Sequence, residues 1–356
     1  MNSELQKFIA AIKPVSTQWR KKAKNYLDTL AIPQGSLGEL LVIAEQLAAI
    51  QETLQPSVHK KTVITMAGDH GVVEEGVSAF LQEVTPQMVN NFIMGGAAIN
   101  VLSQVAGAQV VVVDMGVAAD LSGLAQEGKI ISCRIAPGTK NMAKEAAMTR
   151  EQAEAALLTG IKIVGQLVDQ GVQLVATGDM GIGNTTPSTA ILAALFGLPP
   201  REVTGRGTGI TDEALENKAR VIQQALEINK PDPKDPVDVL AKVGGFEIGG
   251  IAGVILGAAY YRIPVIVDGF ISTAGALLAK TIAPNSLDYM IAAHRSKEYG
   301  HSFMLQELGL RPLLNLNLRL GEGTGAALAM NIVEAAAQVI NKMLTFDAAG
   351  VTTPEI

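Results

Sequence analysis

The sequence predicts an α/β fold, with a Rossmann-like large domain built around a parallel sheet and a smaller helical domain. Six short runs rich in valine, isoleucine and alanine indicate strands, and they are "TVITMAG", "AQVVVVDMG", "KIISCRIA", "VQLVATGD", "PVIVDGF" and "DYMIAAH". Most of these runs lack apolar–polar alternation, which is typical of parallel strands buried on both faces. Helical segments such as "TDEALENKARVIQQALEIN" lie between them, and a repeated strand–helix pattern indicates a layered α/β domain.

Both ends of the chain have a helical pattern. The first 55 residues place apolar residues three and four apart, and the last long helix is predicted from about Thr324 to Met343. One late segment, "LLNLNLRLG", alternates with a period of two and therefore predicts an exposed or edge strand. We expect residues 1–60 and 300–356 to form a small, mainly helical domain, and residues 61–299 to form the large substrate-binding domain.

Composition and charge exclude several classes of protein. The net charge of −6 comes without a basic stripe, which argues against a nucleic-acid partner. The N-terminal segment lacks the apolar run of a signal peptide, and no stretch of 18 apolar residues indicates a membrane span. The one cysteine, Cys133, lies in a run that predicts a buried strand, so no disulfide framework exists. We expect a soluble, cytoplasmic protein.

Four loops that follow predicted strands are polar or rich in glycine. They are "AGDHG" (67–71), "ATGDMGIGNTTP" (176–187), "VDGF" (267–270) and "AAHRS" (292–296). Ligands of open α/β sheets bind at the carboxyl ends of strands. In the second loop, "NTTP" before an apolar helix predicts a helix N-terminus that binds an anion such as phosphate, although an ordinary capped turn has the same pattern.

Two glycine-rich segments fail as nucleotide motifs. "GLAQEGKI" has the spacing of a P-loop, but Ile130 replaces the required serine or threonine. "GRGTGI" does not complete the dinucleotide fingerprint. Asp69 and His70, even if paired with Asp114 or Asp268, are adjacent in sequence and point in different directions, so we expect them to organise their loop by hydrogen bonding. No metal and no cofactor is predicted.

The segment "RLGEGTGAALAM" places one carboxylate, Glu322, between Gly321 and Gly323 just before a predicted helix. A solvated acid at a helix N-terminus is one interpretation of this pattern. A positioned catalytic base is the other.

Seven segments together resemble the nicotinate-nucleotide–dimethylbenzimidazole phosphoribosyltransferase family, which activates the lower ligand of cobalamin. In family order they are "PQGSLGELLVIAEQLA", "AGDHGVVEEGVS", "GGAAINVL", "GDMGIGNTTPSTA", "DPVDVLAKVGGFEIGGIAGVILGAA", "PVIVDGFISTAGAL" and "RLGEGTGAALAM". The resemblance implies that an aromatic base attacks C1′ of nicotinate mononucleotide. Nicotinate leaves, and an α-ribotide 5′-phosphate forms with inversion at C1′.

The resemblance also implies roles for individual residues. Glu322 is similar to the family's catalytic glutamate, and Asp268 matches a ribose-binding or loop-ordering group. The implied phosphate site comprises Gly181, Gly183, Asn184 and Thr185, assisted by Lys218 and Ser296; the implied base pocket comprises Phe80, Met88, Asp179, Met180 and Leu320. From the sequence alone, Lys218 fits a solvated helix position equally well, and Asp268 fits a cap of the next helix.

The base pocket departs from the family pattern. Phe80 and Met88 stand where the branch that uses dimethylbenzimidazole commonly has serine and glutamine, and Asp179 stands where a branch has glutamate. An aromatic ring and a thioether give an adaptable apolar wall with few hydrogen-bonding groups. One hypothesis is a broadened base preference that includes phenol or p-cresol, and the alternative is neutral drift.

Two other functions compete with a transferase that acts alone. The resemblance implies a homodimer, but a heterodimer with a homologous subunit is an alternative, in which this chain is the non-catalytic partner. A Rossmann-type oxidoreductase is disfavoured because the dinucleotide fingerprint is missing.

Overall fold

A computed structural model describes residues 2–352 of the chain and contains a six-stranded, all-parallel sheet. The strands are β1 (Lys61–Gly68), β2 (Ala108–Gly116), β3 (Ile131–Ser132), β4 (Leu174–Met180), β5 (Val265–Val267) and β6 (Met290–Ala292). Their order across the sheet is β3-β2-β1-β4-β5-β6. The predicted α/β fold with a parallel sheet is confirmed. This strand order reverses direction between β1 and β4, which is where Rossmann-type sheets bind ligands.

In the described part of the chain, sixteen α-helices and two short 3₁₀ helices, Gly71–Glu75 and Pro284–Tyr289, surround the sheet. The α-helices are α1 (Ser3–Ala11), α2 (Thr17–Leu27), α3 (Glu39–Gln51), α4 (Val84–Met94), α5 (Ala98–Ala106), α6 (Ser122–Gln126), α7 (Arg150–Asp169), α8 (Thr185–Phe196), α9 (Pro200–Val203), α10 (Asp212–Asn229), α11 (Pro236–Val243), α12 (Phe246–Tyr261), α13 (Phe270–Ile282), α14 (His301–Leu308), α15 (Thr324–Lys342) and α16 (Phe346–Ala349). Between residues 2 and 352, no helix is both long enough and apolar enough to cross a bilayer.

The core lies on both faces of the sheet. On β1, Ile64 and Met66 belong to an apolar cluster with α7, α12 and α13. Val63 and Ala67 belong to a second cluster with α3, α5 and α15. Successive residues of a strand point to opposite faces, so β1 supplies both clusters, as its unbroken apolar run predicts.

Helices α7 and α12 pack with their backbones in direct contact. A Cβ atom added to Gly160 of α7 would lie 2.1 Å from the carbonyl oxygen of Gly250, and one added to Gly253 would lie 2.1 Å from that of Leu157. Only glycine permits so close an approach. The pair fixes α12 across one face of the sheet and thereby the loop that precedes it.

Helices from the two chain ends meet on the other face. Helix α3 packs against α2 and α15, and α15 also packs against α5. A β-bridge joins Leu30 to Thr345. Helix α1 instead packs against α7 and α12. The division of the chain into two domains, at residues 60/61 and 299/300, stays a prediction.

One strand prediction is wrong, and another is correct only in part. In "LLNLNLRLG", described in full as residues 313–321, the only strand-like feature is a bridge between His294 and Leu314. Leu314 packs on the second apolar cluster and Leu316 is exposed, so the leucines of this segment do not share one buried face. In "KIISCRIA" only Ile131–Ser132 forms a strand, at the sheet edge, and Cys133 is half-buried, because one side of an edge strand lacks a neighbour.

Candidate active site

A cavity of about 210 Å³ lies at the carboxyl edge of the sheet. It collects the loops that follow β1, β4, β5 and β6, including the switch point between β1 and β4. Eight residues that the sequence singled out line its wall: Phe80, Asp179, Gly181, Gly183, Asn184, Thr185, Ser296 and Leu320. The convergence of strand-end loops predicted from the sequence is therefore present.

The loop of residues 181–184 connects the end of β4 to the N-terminus of α8. Asn184 precedes the helix, but its side chain does not cap the helix and instead donates from Nδ2 to Oδ2 of Asp179 (3.0 Å). Gly183 has φ +87, and a Cβ there would lie 2.6 Å from Cγ2 of Val73. The loop thus presents the start of an apolar helix to the cavity, an arrangement that attracts anions.

Lys218 of α10 is buried rather than solvated. Its Nζ donates to Oγ1 of Thr185 at 2.6 Å. Gly207 adjoins both side chains, since a Cβ on it would lie 2.7 Å from Thr185 Oγ1 and 3.2 Å from Lys218 Nζ. Burial lowers the pKa of Lys218 to about 8, although the Glu298 carboxylate opposes this shift. A buried lysine therefore contacts the first residue of α8, at the end of the loop.

Glu322 lies on a turn of three consecutive residues in the left-handed region. The φ values of Gly321, Glu322 and Gly323 are +84, +63 and +96. The Glu322 side chain is buried, and its Oε2 accepts a hydrogen bond from the backbone N–H of Ile99 at 3.3 Å, at the start of α5. Oγ1 of Thr65 donates to the Glu322 carbonyl oxygen at 3.1 Å. The alternative of a solvated acid is therefore wrong.

Burial and neighbouring charge weaken the acidity of two carboxyl groups here. Burial raises the pKa of Glu322, the Ile99 N–H opposes that shift, and the charge of Asp268 adds to it. Burial also raises the pKa of Asp179 well above its usual value, with further contributions from Asp268, Glu247 and Glu322. A carboxylate with a raised pKa is a stronger base than a free one.

Asp268, directly after β5, orders the Glu322 turn. Its Oδ2 accepts from the N–H of Gly323 (3.2 Å) and its Oδ1 from the N–H of Ala326 (2.8 Å). It therefore caps α15, a helix distant in sequence, and not α13, the next helix along the chain. The His294 ring lies beside it, with Nε2 at 3.7 Å from Oδ1. Of the two roles considered for Asp268, its contacts are those of a loop-ordering group.

Ser296 is held in the cavity wall by a buried histidine. Its backbone N–H donates to Nδ1 of His301 (2.8 Å), and His301 Nε2 lies 2.9 Å from Oγ1 of Thr273. Thr273 Oγ1 donates to the carbonyl of Gly269, so the imidazole proton is assigned to Nε2. Burial and the neighbouring charges of His294 and Arg295 lower the pKa of His301 to about 3. The ring is therefore neutral at pH 7.

The predicted base-pocket residues divide into two groups. Phe80 and Leu320 stand at the cavity mouth with 52% and 57% of their surface exposed, and Asp179 lies inside. Met88 and Met180 instead pack in the second apolar cluster. These two methionines therefore do not line the cavity, contrary to the prediction, and among the described residues no thioether group contributes to the apolar wall.

Several wall residues were given no role in the sequence analysis, among them Gly207, Thr208, Glu298 and Arg319. Two of them belong to "GRGTGI", where the glycines were a signal that was compared only with nucleotide motifs. Arg319 donates from Nη1 to the carbonyl of Gly207 (3.1 Å), and Thr208 Oγ1 accepts from the N–H of Ala79 (3.0 Å). This segment thus links the phosphate loop to the two sides of the cavity mouth.

Comparisons with known proteins match nearly the whole chain. A family model described as a phosphoribosyltransferase matches residues 12–351. A nicotinate-nucleotide–dimethylbenzimidazole phosphoribosyltransferase of Geobacter sp. (strain M21) is 56% identical over 349 residues, which cover 98% of this chain and 99% of the relative. One of Syntrophotalea carbinolica is 57% identical over 344 residues, covering 97% of each chain. The crystal structure of CobT from Thermus thermophilus superposes with a TM-score of 0.90 at 46% identity, covering 95% of this chain and all of the other.

Proposed function

The chain belongs to the nicotinate-nucleotide–dimethylbenzimidazole phosphoribosyltransferase family, and we propose that it moves the 5-phosphoribosyl group of nicotinate mononucleotide to an aromatic base. The products are nicotinate and an α-ribotide 5′-phosphate for cobamide synthesis. One observation carries this proposal: the turn of the buried Glu322 and the helix N-terminus beside Lys218 both adjoin Asp179. Asn184 donates to Asp179, and a Cβ on Gly321, next to Glu322, would lie 2.9 Å from Asp179 Oδ2.

The phosphate end of the substrate fits the loop of residues 181–185. Backbone N–H groups at the start of α8 and the Lys218 ammonium provide positive charge for a phosphate dianion. Ser296 stands in the same wall. Binding there fixes one end of the substrate and places its C1′ carbon toward the carboxylates.

The chemistry requires one proton acceptor and no proton donor. The bond from C1′ to the pyridinium nitrogen breaks, and its electron pair neutralises that nitrogen, so nicotinate leaves unprotonated. The unprotonated ring nitrogen of the base forms the new bond to C1′ from the opposite face, and the proton of its other ring nitrogen passes to Glu322 by general base catalysis. Positive charge that develops on the ribose is stabilised by the nearby carboxylates.

The acceptor base is proposed to enter at the mouth formed by Phe80 and Leu320. Both side chains are apolar and half-exposed, which suits a flat ring and supports the use of phenol or p-cresol beside dimethylbenzimidazole. We expect Phe80→Ser with Met88→Gln to change the ratio of turnover on phenol to that on dimethylbenzimidazole. Met88 lies outside the cavity wall. If it has no effect on base preference, Phe80→Ser alone changes the ratio by the same amount. An unchanged ratio in both variants would remove the pocket hypothesis.

The deciding experiment is nicotinate release from nicotinate mononucleotide by the purified chain, with dimethylbenzimidazole, phenol and p-cresol offered separately. We expect release with the matching α-ribotide, and a loss of at least about a hundredfold in kcat for Glu322→Gln. Size-exclusion chromatography of the same sample gives the oligomeric state, for which we propose a homodimer. If a folded sample releases no nicotinate with any of the three bases, the alternative of a non-catalytic subunit that needs a homologous partner is favoured.

A further inference from the structure

A buried ion pair lies behind the phosphate loop, outside the groups used above. His70 follows β1, and Glu247 lies in the first turn of α12. Their side chains are 1% and 0% exposed, and His70 Nε2 lies 2.8 Å from Glu247 Oε1. Nδ1 of His70 and Oε2 of Glu247 have no hydrogen-bond partner in the described part of the chain.

The His70–Glu247 pair lies directly beneath Gly181, the first glycine of the loop. A Cβ added to Gly181 would lie 2.2 Å from the carbonyl oxygen of Gly68 and 3.3 Å from His70 Nε2. Gly68 itself lies against Glu247, since its Cβ would be 3.0 Å from Oε2. Gly245, just before α12, closes the other side, where a Cβ would be 2.5 Å from His70 Cε1. The loop backbone therefore rests on the pair without a side chain between them.

Without its histidine partner, the Glu247 carboxylate would weaken phosphate binding at the loop. An unpaired buried carboxylate beneath the loop repels a phosphate dianion, because charges in the protein interior are weakly screened. Glu247 is also one of the charges that raise the pKa of Asp179. Burial lowers the pKa of His70, but Glu247 and Asp69 outweigh it and raise it overall. With His70 protonated, the imidazolium at 2.8 Å cancels the charge of the Glu247 carboxylate.

We infer that His70 and Glu247 are positioning residues for phosphate binding: the pair supports Gly181 and cancels the Glu247 charge beneath the loop. The inference rests on the proposed function and assigns its substrate's phosphate to this loop. Because the pair touches the loop and not the reacting atoms, its loss is expected to raise KM for a phosphorylated substrate more than it lowers kcat.

The test compares nicotinate mononucleotide with nicotinate riboside, which lacks the phosphate. We expect His70→Gln, which leaves Glu247 unpaired, to raise KM for the mononucleotide by about tenfold. Its kcat/KM for the riboside changes by less than about twofold. The double variant His70→Gln with Glu247→Gln removes both charges. We expect its KM for the mononucleotide to fall back close to the wild-type value.

Inorganic phosphate provides a readout without turnover. Calorimetric titration with phosphate is expected to show weaker binding by His70→Gln and recovery in the double variant, whether or not a base is found that supports activity. His59→Gln is the matched control, because His59 contacts Glu334 at the amino end of β1, far along the strand from the loop. Thermal melts confirm that each variant is folded.

Two outcomes overturn the inference. Equal losses on mononucleotide and riboside mean that the pair supports the fold in general. A double variant that binds phosphate more weakly than His70→Gln means that charge cancellation is not its role. An inactive wild type that still binds phosphate, more weakly after His70→Gln, contradicts the proposed transferase and leaves this inference standing.

Discussion

Glu322 has the least common backbone conformation in the site. A left-handed conformation costs an L-residue about 1–2 kcal/mol, and here a glutamate adopts φ +63 between two glycines that are also left-handed. Thr65 and Ile99 hold the residue through its carbonyl and its carboxylate. Strain of this kind persists only where the surroundings impose it, and it is concentrated at functional sites.

Gly178 of β4 is required by this turn. A Cβ there would lie 2.3 Å from the carbonyl oxygen of Glu322, so Gly178→Ala forces the turn away from the strand. We expect a loss of about 1–3 kcal/mol in unfolding free energy, measured in urea, and a larger fractional loss of kcat. Gly123→Ala is the control, because a Cβ at Gly123 meets nothing within 4 Å. Wild-type kcat in Gly178→Ala would contradict the role of the turn.

Lys218 predicts the alkaline side of the pH profile. With a pKa of about 8, the Lys218 amine is positively charged below that pH, and it loses this charge as the pH rises through 8. We therefore expect kcat/KM for nicotinate mononucleotide to fall above about pH 8, because kcat/KM reports groups of the free enzyme. Lys218→Arg keeps its charge at these pH values, so the alkaline fall disappears. If that variant retains the fall, another group titrates.

Site residues were predictable where loop position alone decides, and not where side-chain direction decides. Asp179 and Met180 were both assigned to the base pocket, yet neighbours on a strand point to opposite faces. Asp179 faces the cavity, and Met180 packs in the second apolar cluster. The two-residue period of β4 means that only one of these two side chains can face the cavity. The sequence alone does not tell which of the two it is.

At the scale of elements, Asp268 joins β5 to α15. It caps α15 through Gly323 and Ala326, and Gly323 ends the Glu322 turn. One carboxylate therefore both stabilises the helix and fixes the turn that carries Glu322. Sequence patterns find caps within a few residues of a helix start, whereas this cap comes from another strand.

Asp268→Ala is expected to lower both stability and turnover. Loss of a cap costs about 0.5–2 kcal/mol in unfolding free energy, and release of Gly323 lets the turn relax, which lowers kcat. Asp235→Ala is the matched control, because Asp235 caps α11 through the N–H groups of Val237 and Asp238. Denaturant melts and turnover on the same samples separate the effects: the control loses stability and keeps kcat. Equal kcat in the two variants would contradict the positioning of the turn.

The two strand predictions that differ from the structure share one cause. Alternating leucines in "LLNLNLRLG" reproduce the strand period, but the segment lies beyond β6, and β6 pairs along only three residues. "KIISCRIA" lies beside β2 and pairs along two. In both cases the local pattern does not fix how many residues pair: β3 pairs along two residues although β2 has nine, and Leu316 and Leu320 are exposed.

At the scale of the whole molecule, the cavity is a consequence of strand order. Chain-sequential β1, β2 and β3 lie on one side, and β4, β5 and β6 on the other. Their loops therefore diverge between β1 and β4 and leave a crevice. Unbroken apolar runs were enough to predict a parallel sheet. The order was not predictable from them, because pairing between distant strands leaves no local periodicity.

Substrate binding is expected to stabilise the entire fold. Nicotinate mononucleotide at about 100 times its Kd raises the unfolding free energy by about 2.7 kcal/mol if only the folded chain binds it. Thermal melts with and without the compound measure this effect. Lys218→Ala, which removes the cation at Thr185, is expected to abolish most of the shift at the same concentration. A shift of unchanged size would place the phosphate elsewhere.

The glycine contact between α7 and α12 has a consequence for the order of folding. Helix α12 contains Gly249, Gly250, Gly253 and Gly257, each about 1 kcal/mol less favourable in a helix than alanine. It therefore lacks the intrinsic propensity to form alone, whereas α7 begins with a capping box and is rich in alanine and leucine. We expect pulse-labelled amide exchange during refolding to show protection in α7 first, and in α12 only once the two backbones have met.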